Sequence, residues 1–520
     1  MTDKLKVVKE TEIIQDSETV IKDNGTVYLI GAGPGDYRLM TCWGREVLEE
    51  ADIVFYDRLA NPSLLTFTRE DARLVYVGKE PDNHFFNQEE INQMIVKAAK
   101  DGKMVVRLKG GDPYVYGRGG EEALELIKAG IDFKVIPGIS SVLAAASYAG
   151  IPITHRGLSS SFHVFTGHKL ESMDFEHLAR IDGTMVIVMG LRNLEGIAKN
   201  LIQEGVSKEK AVAIIHYGTT ASQKIISGNL SNIAEKARVE EVQSPVLIVI
   251  GDVVKLYDEL NWYEKGVLSG KRILLTRSRE ENSKMASKIE ASGGEAFFLP
   301  AIKIEGPIID DRIKEYFYKI KEYDWLLFTS TNTVNNFFAI MKELNLDIRC
   351  LTEKKIATIG PATEQSLNKV GIYSDIQTEE STAKGLAETL IKEMEKEQKI
   401  LLPGSNLARK ELSNTLSKAG HQVDRITIYR TTLPDHQGKR YDLFFTERKV
   451  DLICFTSPST VENLCNITEK YLDIIQEIPV VCIGPVTANA AKEHGFDVQD
   501  VASEHNIDGL LKSVIKVFGH

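Results

Sequence analysis

The densest group of residues with chemical potential lies at 107–122, RLKGGDPYVYGRGGEE. An apolar run at 104–106 leads into it. Gly110, Gly111, Asp112 and Pro113 follow in succession, and Gly117, Gly119 and Gly120 come just before Glu121, where a helix is expected. A strand ending in such a turn can bring its backbone against a flat or charged ligand, because glycine has no Cβ to hold it off. Arg107, Lys109 and Arg118 surround the turn. Three other apolar runs end in comparable tips. TVYLI at 26–30 runs into GAGPGD at 31–36, IVFY ends at Asp57 and Arg58, and LVYVG ends at Lys79. A salt bridge with Arg58 would explain Asp57 on its own; four polar tips together point to a site. GAGPGD is not a dinucleotide fingerprint, since Asp36 stands where that pattern needs a small residue for close helix–strand packing and Pro34 sits inside the turn.

The elements behind these tips alternate strand and helix, which implies a mostly parallel α/β sheet with ligands gathered at the carboxyl ends of its strands. From residue 160 the pattern changes to β-rich runs such as SFHVFTGH, TMVIVMG and SPVLIVIGDVV, read as a second lobe with a mixed sheet. Met189 and Gly190 end one run, Tyr217 and Gly218 another; by default Met189 is a core methionine. His155, His163 and His168 match no ligand spacing, so no metal is expected. After a linker at 259–270 the chain starts afresh with KRILLTRSRE and contains an internal repeat. DWLLFTSTNTVNNFF at 324–338 aligns with DLICFTSPSTVENLC at 451–465, and KKIATIGPAT at 354–363 with IPVVCIGPVT at 478–487. Thr329, Ser330, Thr456 and Ser457 are placed as helix N-caps. Two copies of a strand–cap–helix unit suggest two similar lobes around a cleft, with helix N-termini suited to carboxylates.

Bulk composition narrows the classes. The 520 residues carry a net charge of −11, which argues against a broad basic surface for nucleic acid. The five cysteines, Cys42, Cys350, Cys454, Cys465 and Cys482, are scattered and contain no CxxC pair, which favours a reducing compartment such as the cytoplasm. Residues 1–24 read as a polar tail without a signal-peptide core, and no apolar run is long enough for a membrane span.

GAGPGD, YDRLA, VGK, RLKGGDPYVYGRGGEE, PGISS, VMGL, GTTASQ and SPVLIVIGDVV stand in the order found in uroporphyrinogen-III C-methyltransferases, and 25–258 resembles that family of tetrapyrrole methylases. The resemblance implies two lobes, about 25–138 and 139–258, with S-adenosyl-methionine bound between them, no metal, and usually a homodimer. It carries cofactor contacts onto Pro34, Gly110, Gly111, Asp112, Val115, Ser140, Ser141, Met189 and Gly218, a proton acceptor onto Asp57 and a donor onto Lys79. Tyr37 and Arg38 depart from the family's usual Pro-Glu after GAGPGD.

LLTRS, FTSTNTV, TIGPAT, STAKGLAETL, LLPGSNLARKEL, ITIYRT, FTSPSTV and CIGPVT resemble uroporphyrinogen-III synthase over 271–520. That family's architecture implies a doubly wound parallel-sheet fold with a discontinuous first lobe, 271–303 plus 431–520, and a second lobe at 304–430. Its discussed tyrosine matches Tyr429; the further candidates are Thr329, Ser330, Thr382, Ser457 and Thr487, with Arg277 and Arg409 as carboxylate partners.

Together these imply a cytoplasmic bifunctional enzyme. It closes hydroxymethylbilane to uroporphyrinogen III and methylates that product at carbons 2 and 7 to precorrin-2, releasing S-adenosyl-homocysteine. The end product, sirohaem or cobalamin, stays open. The alternatives are a methylase of a later corrin intermediate fused to a two-lobed anion-binding domain without synthase activity, and an NAD-dependent enzyme, which Asp36 disfavours.

Overall fold

A computed structural model of the chain describes residues 24–69, 71–78, 86–277, 279–378, 383–408, 410–432 and 449–519. Among these residues twenty-one strands form four sheets, each with helices packed against it. The first holds β1 (Val27–Gly31), β2 (Ile53–Tyr56), β3 (Arg73–Tyr76), β4 (Val105–Lys109) and β5 (Phe133–Ile136) in the order β3-β2-β4-β1-β5. Every pairing in it is parallel. β1 and β4 are buried almost throughout, as expected of central strands covered on both faces.

The second sheet contains β6 (Phe162–Thr166), β7 (Thr184–Val188), β8 (Ala211–His216), β9 (Lys224–Asn229) and β10 (Val246–Ile250). Its order is β6-β7-β10-β8-β9, parallel at β6–β7 and antiparallel elsewhere, so it is mixed as the short runs suggested.

β11 (Arg272–Leu275) and β12 (Glu295–Phe298) open the second half. The chain then leaves through β13 (Lys303–Glu305), β14 (Trp325–Phe328), β15 (Lys355–Ile359), β16 (Ile376–Thr378), β17 (Lys399–Ser405) and β18 (Gln422–Thr432). It returns through β19 (Leu452–Phe455), β20 (Val480–Cys482) and β21 (Val498–Val501). The resulting sheets run β12-β11-β19-β20-β21, all parallel, and β13-β18-β17-β14-β15-β16, parallel except at β13–β18.

The segment read as a linker is packed. Leu268 is fully buried, and Trp262, Tyr263 and Tyr148 form an edge-on aromatic cluster. One apolar cluster runs from Ile30, Leu64 and Leu65 through Leu268 and Ile289 to Phe298 and Leu452, so the two halves share a core. Tyr37 lies edge-on to Phe298 at 5.6 Å and its hydroxyl donates to Glu290, while Arg38 lies 3.6 Å from the same carboxylate. The two departures from the methyltransferase pattern thus sit on the seam between the halves.

Candidate functional site

β1 and β4 lie side by side, and their glycine turns meet: Gly33 and Gly111 exchange backbone hydrogen bonds at 3.2 and 2.7 Å. The third turn, after β5, packs against them. A Cβ on Gly138 would stand 2.2 Å from the carbonyl oxygen of Gly111, so no larger residue fits unless the backbone moves. Beyond it Ser140 caps the Ser141–Tyr148 helix by accepting from the Val142 N–H.

These turns form one wall of a cavity of about 700 Å³, a size suited to a small organic ligand. Pro34, Asp57, Gly110, Gly111, Val115, Ser140, Ser141, Met189 and Gly218 all line it, drawn from both of the first two sheets. Asp112 does not. Its carboxylate accepts from the N–H groups of Tyr114 and Gly138, at 2.8 and 3.1 Å, and so clamps two turns together. Lys79 lies outside the described residues. Met189 is no core methionine: it stands at the end of β7, 51% exposed, with a left-handed backbone (φ 55°).

Asp57 pairs with Arg107, Oδ2 accepting from Nη2 at 3.1 Å, and its Oδ1 accepts from the N–H of Leu59. Arg107 and Lys109 project into the cavity floor and share the fully buried carboxylate of Glu122, whose Oε1 accepts from them at 3.2 and 2.8 Å and from Gln88 at 3.0 Å. Burial, then the neighbouring Arg107, holds the Lys109 ammonium below its usual range, and Glu122 opposes that shift. The spacing of Arg107, Lys109 and Glu122 was visible in the sequence, but nothing there shows one acid facing both cations. Tyr217, another cavity residue, has φ 45° and was read only as a strand end.

Asp36 explains its own presence. It is buried, its carboxylate accepts from Arg38 and from the Tyr148 hydroxyl, and its N–H donates to Thr219 Oγ1 at 3.1 Å. Burial and then this carboxylate push the Tyr148 phenol up, while the hydrogen bond with Asp36 raises Arg38. Among the described residues, no group of three or more His, Cys, Asp and Glu side chains is placed to hold a metal.

In the second half the repeated unit folds twice with the same local geometry. Ser330 (φ −161°, ψ 158°) precedes the Thr331–Glu343 helix, and Ser457 (φ −162°, ψ 158°) precedes the Pro458–Ile467 helix. Serine, not the threonine before it, is the cap in each copy. Ser330 Oγ accepts from the Thr333 N–H at 3.2 Å, and the Ser457 N–H donates to Thr460 Oγ1 at 3.3 Å. Thr329 and Thr456 stand one position earlier, half-buried at the strand exits. Tyr429, on β18, reaches Ser330: the two hydroxyl oxygens are 3.2 Å apart. Thr487 is buried in the first turn of the Pro485–Glu493 helix, which faces the Pro458–Ile467 helix. Arg277 follows β11 and its carbonyl accepts from Asn282. Thr382 and Arg409 lie outside the described residues.

Comparison with known proteins gives two family matches in tandem: Tetrapyrrole (Corrin/Porphyrin) Methylases over 26–234 and Uroporphyrinogen-III synthase HemD over 283–512. "Porphyrin biosynthesis protein HemD" of Ruminiclostridium josui is 34% identical over 502 residues, 96% of this chain and 99% of that one. "Uroporphyrinogen-III C-methyltransferase" of Methanocaldococcus jannaschii is 50% identical over 238 residues, 45% of this chain and 98% of that one. A crystal structure of uroporphyrin-III C-methyl transferase from Thermus thermophilus, complexed with S-adenyl homocysteine, is 37% identical and covers 45% of this chain and 100% of that chain, with a TM-score of 0.39. The end-to-end relative and the two matches in series show that the chain belongs to the tetrapyrrole methylases joined to uroporphyrinogen-III synthase, HemD.

Proposed function

We propose that the chain closes hydroxymethylbilane to uroporphyrinogen III in its second half and methylates that product at carbons 2 and 7 in its first half, giving precorrin-2. The observation that carries the methyltransferase reading is the cavity where three glycine turns, Met189 and Gly218 surround one strand-end carboxylate, Asp57. The backbone there fits an adenosyl group: Gly33 and Gly111 are locked together, and Gly111, at φ 70°, and Ser141 both line the cavity. When bound, S-adenosyl-methionine supplies the methyl group as a sulfonium and is left as S-adenosyl-homocysteine. The turns at Pro34, Gly110–Gly111 and Ser140–Ser141 with Met189 and Gly218 hold it, and the fixed walls bring the pyrrole carbon in line. Methylation of a ring carbon leaves the macrocycle with a proton to shed. Asp57, oriented by Arg107 and the Leu59 N–H, takes it.

In the second half the paired Ser330 and Ser457 caps leave two helix N-termini suited to the carboxylates of a linear tetrapyrrole. The Tyr429 hydroxyl, supported by Ser330, assists loss of the bilane hydroxyl before ring closure. We place the enzyme in the cytoplasm, a reading supported by five free thiols, and expect a homodimer through the methyltransferase half, measurable by sedimentation velocity.

The test is to supply hydroxymethylbilane and S-adenosyl-methionine to the purified chain. Precorrin-2 is expected with no other enzyme added. Closure only to the uninverted isomer refutes the synthase reading, and a product without two added methyl groups refutes the methyltransferase reading.

A further inference from the structure

The methyl-donor cavity is closed at one end by the loop after β8. Tyr217, Gly218 and Thr220 line the cavity, and Tyr217 and Thr219 hold left-handed backbones at φ 45° and 72° without being glycine. Such conformations persist only where the surroundings hold them. Part of the hold comes from the first half: Thr219 accepts from the Asp36 N–H, and its own N–H donates to Gln223 Oε1 at 2.9 Å. The rest comes from the other half. The N–H of Ala221 donates to Glu295 Oε2 at 2.8 Å, and the same oxygen accepts from Arg272 Nη2 at 2.9 Å. Arg272 Nη2 also reaches Ser222 Oγ at 3.4 Å, and Nη1 donates to the carbonyl of Lys449 at 2.8 Å. Both charged side chains are buried, at the first residues of β12 and β11. A second tie reaches the other cofactor turn, where Tyr37 and Arg38 meet Glu290.

We infer that Glu295 and Arg272, which belong to the synthase half, are positioning residues for the cofactor loop of the methyltransferase half. A charged acceptor on a buried backbone N–H is a strong hydrogen bond, and Arg272 fixes that acceptor from the far side. The loop's cavity-facing conformation therefore depends on a lobe that has no part in methyl transfer. Coupling between sites is reciprocal, so a ligand in the cavity stiffens the start of β11 and β12. The inference rests on the cavity being the methyl-donor site.

The experiment uses the full chain with S-adenosyl-homocysteine as probe. Titration calorimetry compares wild type, Glu295→Ala, and the double variant Arg272→Met/Glu295→Leu, which removes the loop's acceptor without leaving a buried charge unpaired. The expected result is a dissociation constant raised about tenfold in both variants, the worth of one charge-assisted hydrogen bond. KM for S-adenosyl-methionine rises alike, with kcat within about twofold and hydroxymethylbilane closure unchanged. In the wild type, amide exchange over 272–298 slows when the probe binds, a readout that needs no variant. Probe affinity within twofold of wild type in a variant that still closes the bilane overturns the inference, as does unchanged exchange over 272–298. Failure of the wild type to bind the probe overturns instead the assignment of the cavity, and this inference with it.

Discussion

Replacing Glu122 by Gln tests the electrostatics of the cavity floor. The carboxylate, Lys109 and Arg107 are all nearly inaccessible, and Glu122 Oε1 sits 2.8 and 3.2 Å from the two cations. Asp57 neutralises only one of them, through Arg107. Glutamine keeps the shape and the oxygen that accepts from both cations; the charge is lost, and the Oε2 position, which makes no hydrogen bond among the described residues, becomes an N–H donor. Breaking a buried pair costs ~3–5 kcal/mol, and the retained hydrogen bonds put the loss near the lower end, about 3 kcal/mol. That is a large fraction of a typical folding free energy of ~5–15 kcal/mol. The loss has a pH signature. Burial already holds Lys109 below its ordinary value, with Glu122 pulling the other way. Below its folded pKa, Lys109 is protonated in both states and its full cost is present. As pH rises from the folded towards the unfolded pKa, the unfolded chain binds more protons and stability increases. Without the Glu122 charge the folded pKa drops further, so this recovery starts at lower pH and the variant's deficit shrinks as pH rises towards the ordinary lysine pKa. A chain with four sheets does not unfold in one step, so the assay is native-state hydrogen exchange at the amides of β4 under low urea, at several pH values. A deficit below about 1 kcal/mol at pH 7, or one that stays constant with pH, refutes the reasoning.

Asp57→Asn should cut methylation by ~10²–10⁴-fold, as loss of a general base does, while closure of hydroxymethylbilane continues at the wild-type rate; equal methylation rates would remove Asp57 from the chemistry. Gly138→Ala places a Cβ 2.2 Å from the Gly111 carbonyl, so S-adenosyl-homocysteine binding should disappear, with the first sheet destabilised by at least ~2 kcal/mol in thermal denaturation. Tyr429→Phe removes the partner of Ser330 and should slow closure about tenfold with less than ~1.5 kcal/mol of destabilisation, measured by isomer-resolved product analysis. Cys454 and Cys482 are buried with thiols pushed up by desolvation, Cys482 to about 12, so a disulfide reagent at pH 8 should label exposed Cys42 first and these two only after denaturation.

The fold class was legible because both halves are written in short apolar runs ending at glycine or hydroxyl residues. The repeated FTS segment showed a duplicated unit directly, and its two serines have backbone angles within one degree of each other. The second repeated motif was less faithful: Gly360 takes φ 75° while Gly484 is extended at φ −170°, since a shared IGPxT string does not fix a glycine's conformation. Residues that face the cavity through the backbone were the easiest to find. Side-chain partners remote in sequence were not legible. Arg58 would have explained Asp57 on its own; the ion pair the structure shows is with Arg107, on the neighbouring strand. Asp112 was expected at the cofactor because acids suit a sulfonium; its carboxylate also accepts from two backbone N–H groups, a tie between turns that the sequence did not show. Residue type alone would put Met189 in the core, but it ends a strand with a positive φ and lines the cavity, where the resemblance to the methyltransferases had placed it.

The seam between the halves shows why tolerance at Tyr37 and Arg38 differs from tolerance in a surface turn. β12 is the edge strand of its sheet, and an uncovered edge invites pairing with another chain. Here its outer side meets the Pro62–Phe67 turn, and Phe298 at its end packs on Tyr37. Arg38 adds a charge that faces both Asp36, at the glycine turn, and Glu290, across the seam. A residue pair at this point therefore answers to two constraints, the cofactor turn behind it and the synthase lobe before it. A methyltransferase without the second half has only the first to satisfy. The same reasoning applies in reverse to Arg272 and Glu295: at the start of two strands, away from the carboxyl ends where ligands gather, the two charges pair with each other and Arg272 holds the Lys449 carbonyl, and both also reach the loop of the other half. The pair therefore answers both to its own lobe and to the loop it ties across the seam.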